Sequence, residues 1–331
     1  MSKVVVIGDG GWGTALAMIL EENGHDVTVW GPFEDYIEQI RATGENSKFL
    51  HGVKLPSSIK WTSNREEAVK GADLGVIAVP TKYYISVLEG FSGLIEPQTA
   101  LVSVAKGLDK ESHRRMSEIA IDVLKHDNVA ALSGPSHAEE VARGIPTAVT
   151  IATYDSDIAE FLQKSFSNGH FRVYTSTDKI GVELGGAMKN VIAIGVGISD
   201  GLGFGDNTRA AVITRGLAEI ARLGYALGAA SDTFYGLSGM GDLIVTCTSQ
   251  LSRNRGVGER IGKGEKIDDI MGNMEMAVEG VWNAASCLSQ AESLGVDVPV
   301  TKEVYEVIYN NKDPKQAVID LLSRDLKSEI S

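Results

Sequence analysis

Residues 4 to 20, VVVIGDGGWGTALAMIL, join a short apolar run to three spaced glycines and then to a helical pattern. Val4, Val5, Val6 and Ile7 put β-branched side chains on both faces of a strand, which requires both faces to be covered and predicts a buried parallel strand. Gly8, Gly10 and Gly13 follow as G-x-G-x-x-G. In a dinucleotide site the first glycine makes the tight turn, the second lets backbone approach the pyrophosphate, and the third lets helix pack on strand. The amides opening the next element then face the phosphates, and Ala15, Leu16, Ile19 and Leu20 give that element its helical spacing. An ordinary tight strand-to-helix turn uses the same residues, so the fingerprint alone specifies no reaction.

The totals narrow the class. A chain of 331 residues exceeds one ordinary core and predicts two domains. Apolar and charged contents of 43% and 23% are those of a globular protein. A net charge of -13 argues against a general nucleic-acid binder but leaves a phosphate ligand open, since local lysines and arginines decide such a site. Cys247 and Cys287 are the only cysteines and lack metal-ligand spacing, so no metal is expected and a reducing cytoplasm fits. No apolar stretch nears the ~20 residues that span a bilayer, and the amino-terminal run is too short for a signal peptide.

Alternation of strands and helices continues to about residue 176. Asp26 to Trp30 reads as the second strand. Its end usually distinguishes the two nicotinamide cofactors: a carboxylate holds the adenosine ribose 2′-hydroxyl, and an arginine accepts the 2′-phosphate. Gly31, Pro32 and Phe33 offer neither, and Glu34 or Asp35 either reaches back or charges the first turn of a helix over 34 to 42. A short helix capped near Asn64 leads to the strand Leu74 to Val79, then to Pro80 and Thr81, which suit a cofactor contact or a helix entry. A strand over 99 to 104 delivers Lys106 beyond its carboxyl end, where open α/β sheets bind ligands. A helix over 112 to 125 precedes the strand Val129 to Leu132, and Ser133 to His137 follow it. Ser136 there either binds an anion or caps the helix from Ala138 to Ala142. His137 suits catalysis or structure, and further strands over 147 to 152 and 171 to 174 flank a helix near 156 to 166. The pattern predicts a doubly wound, Rossmann-type parallel sheet over residues 1 to 176.

From residue 177 to 331 the expectation is an all-helical substrate and catalytic domain. The helix over 178 to 200 holds Gly185, Gly186, Gly195 and Gly197. Interior glycine costs up to ~1 kcal/mol each relative to alanine, which points to close backbone contact with another element or a ligand. Lys189 and Asn190 sit amid these small residues, so Lys189 either faces a cleft with a lowered pKa or snorkels to solvent. Asp206 or Asn207 caps the next helix, and GLSGMG at 236 to 241 presents Asp242. Ser252, Arg253, Asn254 and Arg255 open another helix with donors suited to a phosphate monoester, or form an exposed charged face. Three helices follow from Glu279.

In this order the blocks GDGGWGTALA, VPTK, VAKGL, SGPSHAEEVA, GGAMKNVIAIGVGISDGLGFGDNTRAA, GLSGMGDLIVTCTS, SRNRGVG and VEGV resemble the NAD(P)-dependent glycerol-3-phosphate dehydrogenases, particularly the bacterial form, over nearly the whole chain. The resemblance implies Lys189 as catalytic lysine, with Lys106, Asp242 and Asn190 lining the reacting end. It implies Gly134, Ser136, Ser252, Arg253 and Asn254 as substrate contacts, largely to phosphate, with Thr246 joining them. Gly11, Trp12, Lys106, Ala138, Arg253 and Glu279 match cofactor-contacting positions, beside the fingerprint glycines and Pro80. Gly11 stands where bacterial members often carry serine, a change expected to forgo at most one hydroxyl contact. Gly31-Pro32 replaces an arginine-bearing segment, which leaves NAD against NADP open.

The implied reaction is reversible NAD(P)H-dependent reduction of dihydroxyacetone phosphate to sn-glycerol 3-phosphate, which supplies glycerophospholipid synthesis, in a cytoplasmic homodimer. Two alternatives compete with it. A related two-domain hydroxy-acid dehydrogenase wants a carboxylate site in place of SRNR. A nonenzymatic dinucleotide sensor needs the glycine loop without Lys106, Lys189 and Asp242 together.

Overall fold

The computed structural model describes residues 1–274, 277–326 and 328–329. Its first part alternates β1 (Lys3–Ile7), α1 (Gly11–Glu22), β2 (Asp26–Trp30), α2 (Glu34–Thr43), β3 (Lys60–Thr62), α3 (Arg65–Val69), β4 (Leu74–Ile77), α4 (Tyr84–Glu89), β5 (Ala100–Ser103), α5 (Met116–Leu124), β6 (Val129–Ser133), α6 (Ala138–Val141), β7 (Thr147–Ala152), α7 (Ser156–Phe166) and β8 (Phe171–Ser176). The strands form one sheet in the order β3-β2-β1-β4-β5-β6-β7-β8.

Both faces of β1 are covered, as its unbroken apolar run requires. Val4 and Val6 enter one core with Leu16 and Leu20 of α1, while Val5 and Ile7 enter another with Leu88, Phe91 and Ile119. The order reverses between β1 and β4, so their carboxyl ends bound the crevice where such sheets bind ligands.

One pair departs from the all-parallel expectation: β7 runs antiparallel to β6 and parallel to β8. The connection from β6 contains only the one-turn α6, which cannot return the chain across the sheet as a parallel crossover must. The three-residue β3 carries too little pattern to be read from sequence, and α5 begins later than expected because Leu108 and Arg115 pair across the preceding loop.

Beyond β8 the described residues contain helices and turns but no strand: α8 (Lys179–Gly201), α9 (Asp206–Ala226), α10 (Asp242–Thr248), α11 (Arg253–Gly262), α12 (Ile267–Gly272), α13 (Glu279–Ser293), α14 (Pro299–Tyr309) and α15 (Pro314–Leu322). Asp178 caps α8 by accepting from Gly181 N at 2.9 Å. The expected cap at Asp206 or Asn207 is instead Gly205, and Asp206 pairs with Arg209 in the first turn of α9.

The expectation about apolar length also needs correction. By length and composition α8 suffices to cross a membrane, but it is almost wholly buried inside the protein, as the central helix of a core must be. Its glycines explain how it packs. A Cβ at Gly197 would lie 2.0 Å from the Arg255 carbonyl oxygen, and one at Gly201 would lie 2.2 Å from that of Glu259. From the other side, a Cβ at Gly258 would lie 2.1 Å from the Ile194 oxygen. The main chains of α8 and α11 therefore touch, and each glycine's cost in helix propensity is offset by that contact.

Candidate active site

The loops at the carboxyl ends of β5 and β6 face the middle of α8 across the start of α10. Gly186 of α8 leaves room for them: a Cβ there would lie 2.7 Å from Ser133 Oγ and 3.4 Å from Lys106 Cγ. Through that gap Lys106 donates to Gly134 O at 3.0 Å, to Ser136 Oγ at 3.4 Å and to Asp242 Oδ2 at 2.8 Å. The remaining carboxylate oxygen belongs to Lys189, whose Nζ is 2.5 Å from Asp242 Oδ1 and 2.8 Å from Thr246 Oγ1. Thr246 spends its own proton on the Asp242 backbone oxygen at 2.6 Å, which leaves its hydroxyl an acceptor toward the lysine.

Two cations on one anion leave net positive charge in a site where Lys189 and Asp242 are 7% and 0% exposed. Burial pushes the Lys189 ammonium down to about 8 and Lys106 adds to this, while Asp242 opposes it. Burial pushes the Asp242 carboxyl up, but the two lysines outweigh it and hold the group below its usual range. An ammonium has three donors. Lys189 commits two of them within the protein, so one remains for a ligand oxygen.

Ser136 does not cap α6; its hydroxyl donates to Gly134 O at 2.8 Å, and His137 takes the cap position with no side-chain bond. His137 Nε2 is buried without a hydrogen-bond partner, and burial, with Lys189 nearby, pushes its pKa down. Gly134 adopts φ +146°, where a Cβ would lie 2.9 Å from Val149 Cα, so this turn requires glycine.

Alongside the lysine lies a second set of contacts. Asn254 Nδ2 donates to Asn190 Oδ1 at 3.0 Å, and Asn254 Oδ1 accepts from Gly280 N at 2.9 Å, joining the starts of α11 and α13 to α8. Ser252 caps α11 by accepting from Arg255 N at 3.3 Å. Arg253 donates to Ala277 O at 2.9 Å and keeps an exposed surface. Arg255 is taken up by Asp200 at 2.7 Å, which removes one of the two guanidinium groups of SRNR from a ligand role.

The glycine loop forms the other end. Gly8 has φ +121°, and a Cβ there would lie 2.5 Å from Ala78 O, so the loops after β1 and β4 meet at a residue without a side chain. A Cβ at Gly10 would meet nothing within 4 Å, and one at Gly13 would lie 2.5 Å from Gly8 O. These are the open approach and close packing that a pyrophosphate loop needs. Buried and unpartnered polar atoms occur here too, at Asp9 Oδ2 and Trp12 Nε1. Gly11 lies next to Ala138 and against Phe49, whose carbonyl oxygen would be 2.4 Å from an added Cβ. Serine at 11 would thus require that backbone to move, a larger effect than the single hydroxyl expected from sequence.

Glu279 joins the two parts of the chain. It accepts from Thr81 N at 3.1 Å and from the Thr81 hydroxyl, placing the start of α13 against the loop that begins at Pro80. Sequence reasoning missed two participants. Ser133 Oγ lies 3.5 Å from Asp242 Oδ2, and Asn283 donates to both Lys106 O at 3.1 Å and Ala187 O at 3.0 Å. Asn283 stands just beyond the VEGV block, with no local signal of its role.

Residues 3–159 match the family model for the NAD-dependent glycerol-3-phosphate dehydrogenase N-terminus, and residues 178–319 match that for its C-terminus. The glycerol-3-phosphate dehydrogenase (NAD(P)+) of Fusobacterium nucleatum is 46% identical over 100% of this chain and 99% of its own. That of Trichlorobacter lovleyi is 49% identical over 99% of each. Among solved structures, glycerol-3-phosphate dehydrogenase from Coxiella burnetii superposes with a TM-score of 0.94 at 37% identity, covering 98% of this chain and 99% of that one.

Proposed function

The chain belongs to the NAD-dependent glycerol-3-phosphate dehydrogenase family, and on that premise we infer that it is the NAD(P)-linked oxidoreductase interconverting dihydroxyacetone phosphate and sn-glycerol 3-phosphate. The observation that carries the mechanism is Lys189: a buried ammonium brought down to about 8, with two of its three donors held by Asp242 and Thr246. When bound, the nicotinamide supplies or takes up the hydride.

Lys189 gives its proton to the substrate carbonyl oxygen during reduction and takes the hydroxyl proton during oxidation. Asp242 holds the ammonium in place from Oδ1, and through Oδ2 it holds Lys106 at the same centre. Both lysines stabilise negative charge as it develops on the carbonyl oxygen, in a site that needs no reorganisation to do so. Gly134, Ser136, Asn190, Ser252, Arg253 and Asn254 bind the substrate, with Arg253 and Asn254 on its phosphate. Binding energy from that remote group orients the carbonyl. For the dinucleotide, Gly8, Gly10 and Gly13 form the cradle, flanked by Gly11, Trp12 and Ala138. Pro80, Lys106, Arg253 and Glu279 lie toward the reacting end.

We place the division between the cofactor domain and the helical substrate domain at residues 176 and 177, where β8 gives way to α8. The same reading makes the protein a cytoplasmic homodimer that supplies glycerophospholipid synthesis. Following the near-ultraviolet absorbance of reduced nicotinamide, with dihydroxyacetone phosphate as substrate, tests the function. Consumption that depends on this substrate supports it; consumption only with an α-keto acid overturns it in favour of a hydroxy-acid dehydrogenase.

A further inference from the structure

Gly31 directly follows β2, at the place where a side chain ordinarily reads the 2′ position of the adenosine ribose. The space such a side chain would enter is already filled. A Cβ built on Gly31 would lie 2.5 Å from Asp9 Oδ2 and 2.7 Å from Asp9 Cγ. A carboxyl from the glycine loop thus stands where a residue-31 side chain would begin.

That carboxyl is held but unsatisfied. The Asp9 backbone oxygen accepts from the buried Asn46 amide at 2.7 Å, and Thr14 Oγ1 lies 3.5 Å from it, fixing the loop. Asp9 is 8% exposed, and its Oδ2 has no hydrogen-bond partner. A buried acceptor without a partner costs free energy until one arrives. Two arginines of the neighbouring elements, whose charge would suit a phosphate, are engaged elsewhere. Arg41 donates through Nε to Trp61 O at 3.0 Å and pairs with Glu34 at 3.2 Å, while Arg65 lies over the rings of Trp30 and Phe91. Burial pushes the Asp9 carboxyl up, opposed by a backbone amide of its own residue and by Lys48, whose amine lies over Phe49, 5.2 Å from the ring centroid.

We propose that Asp9 is the carboxylate that receives the adenosine ribose 2′-hydroxyl, so that this chain selects NADH against NADPH. The proposal rests on the dehydrogenase reading and on a dinucleotide lying along the glycine loop. A ribose hydroxyl donates to the carboxylate in a charge-assisted bond. A 2′-phosphate has no proton to offer, brings like charge, and would leave the buried oxygen unpaired, which is how a site rejects an analogue. Gly31 and Asp9 then act as one exchange: the acid moves to the loop, and the strand end gives up its side chain.

The test is direct binding of NADH and NADPH to the full-length protein by isothermal titration calorimetry, paired with kcat/KM for each. The unaltered protein is expected to bind NADH at least about tenfold more tightly than NADPH, a modest value for a hydrogen-bond-based rejection. Asp9→Asn, which keeps the shape, and Asp9→Ala, which removes the carboxyl, should both bring the two dissociation constants within about threefold. Lys48→Met should leave the preference for NADH in place. Equal or tighter NADPH binding by the unaltered protein overturns the proposal without any variant. So does a ratio that neither Asp9 substitution changes, or a preference lost in Lys48→Met alone. If both dinucleotides bind equally and support turnover, the dehydrogenase reading stands and the role of Asp9 falls; if neither binds, both fall.

Discussion

Lys189 Nζ lies 2.5 Å from Asp242 Oδ1, yet burial of the ammonium outweighs this attraction and its pKa stands at about 8 instead of the usual range. The sign of the pH dependence follows. Oxidation of glycerol 3-phosphate needs the neutral amine, so its kcat/KM should rise with pH and level off above about 8. Reduction needs the ammonium and should decline over the same interval. Rate profiles measured in both directions check this; parallel profiles would remove Lys189 from proton transfer.

Replacing Asp242 by Asn removes the one group that raises the Lys189 pKa while Lys106 remains to lower it. The reduction profile should therefore turn down at lower pH than in the unaltered protein. A buried lysine and a half-buried one left without their shared anion should also cost about 3–5 kcal/mol of stability. Thermal denaturation and the pH profile read these effects separately.

Lys189→Met should lose turnover by about 10²- to 10⁴-fold, the usual contribution of a positioned acid or base. Dinucleotide binding, measured by calorimetry, should survive, because the glycine loop lies at the other end of the cleft. Near-normal turnover would contradict the assignment.

Arg253→Ala should lower kcat/KM for dihydroxyacetone phosphate by roughly 10- to 100-fold, since hydrogen bonds to charged groups contribute about 1.5–3 kcal/mol. Activity on unphosphorylated dihydroxyacetone should change little. A matching loss on both substrates would assign Arg253 to the cofactor alone.

Gly197→Ala places a methyl 2.0 Å from the Arg255 carbonyl oxygen and should destabilise the chain by at least about 1–3 kcal/mol. Gly256→Ala, whose Cβ would meet nothing within 4 Å, should instead gain up to ~1 kcal/mol from helix propensity. Urea midpoints of the two variants separate a contact effect from a propensity effect.

What could be read from the chain was what short-range pattern encodes. Val4 to Ile7 announced a strand covered on both faces, and the glycines of α8 announced a close approach before its partner was known. Strand direction is not local, so the antiparallel β7 could not be read from residues 147 to 152. Nor is convergence. Lys106 and Asp242 meet across 136 positions, and Thr81 and Glu279 across 198, with nothing between to signal either meeting. For Lys189 and Asp242 the family resemblance supplied what periodicity could not. Asp9 escaped notice because it fills a variable place in the fingerprint, and only its proximity to Gly31 gives it meaning.

The glycine contact between α8 and α11 makes the pair a gauge. Lys189 is carried by one helix and Asn254 by the other, and the two main chains lie too close to admit a Cβ at Gly197, Gly201 or Gly258. On the proposed roles, with Lys189 as proton donor and Asn254 on the phosphate, the two groups stand on backbones whose separation is fixed by direct main-chain contact, a spacing no side-chain substitution on either helix can widen without cost.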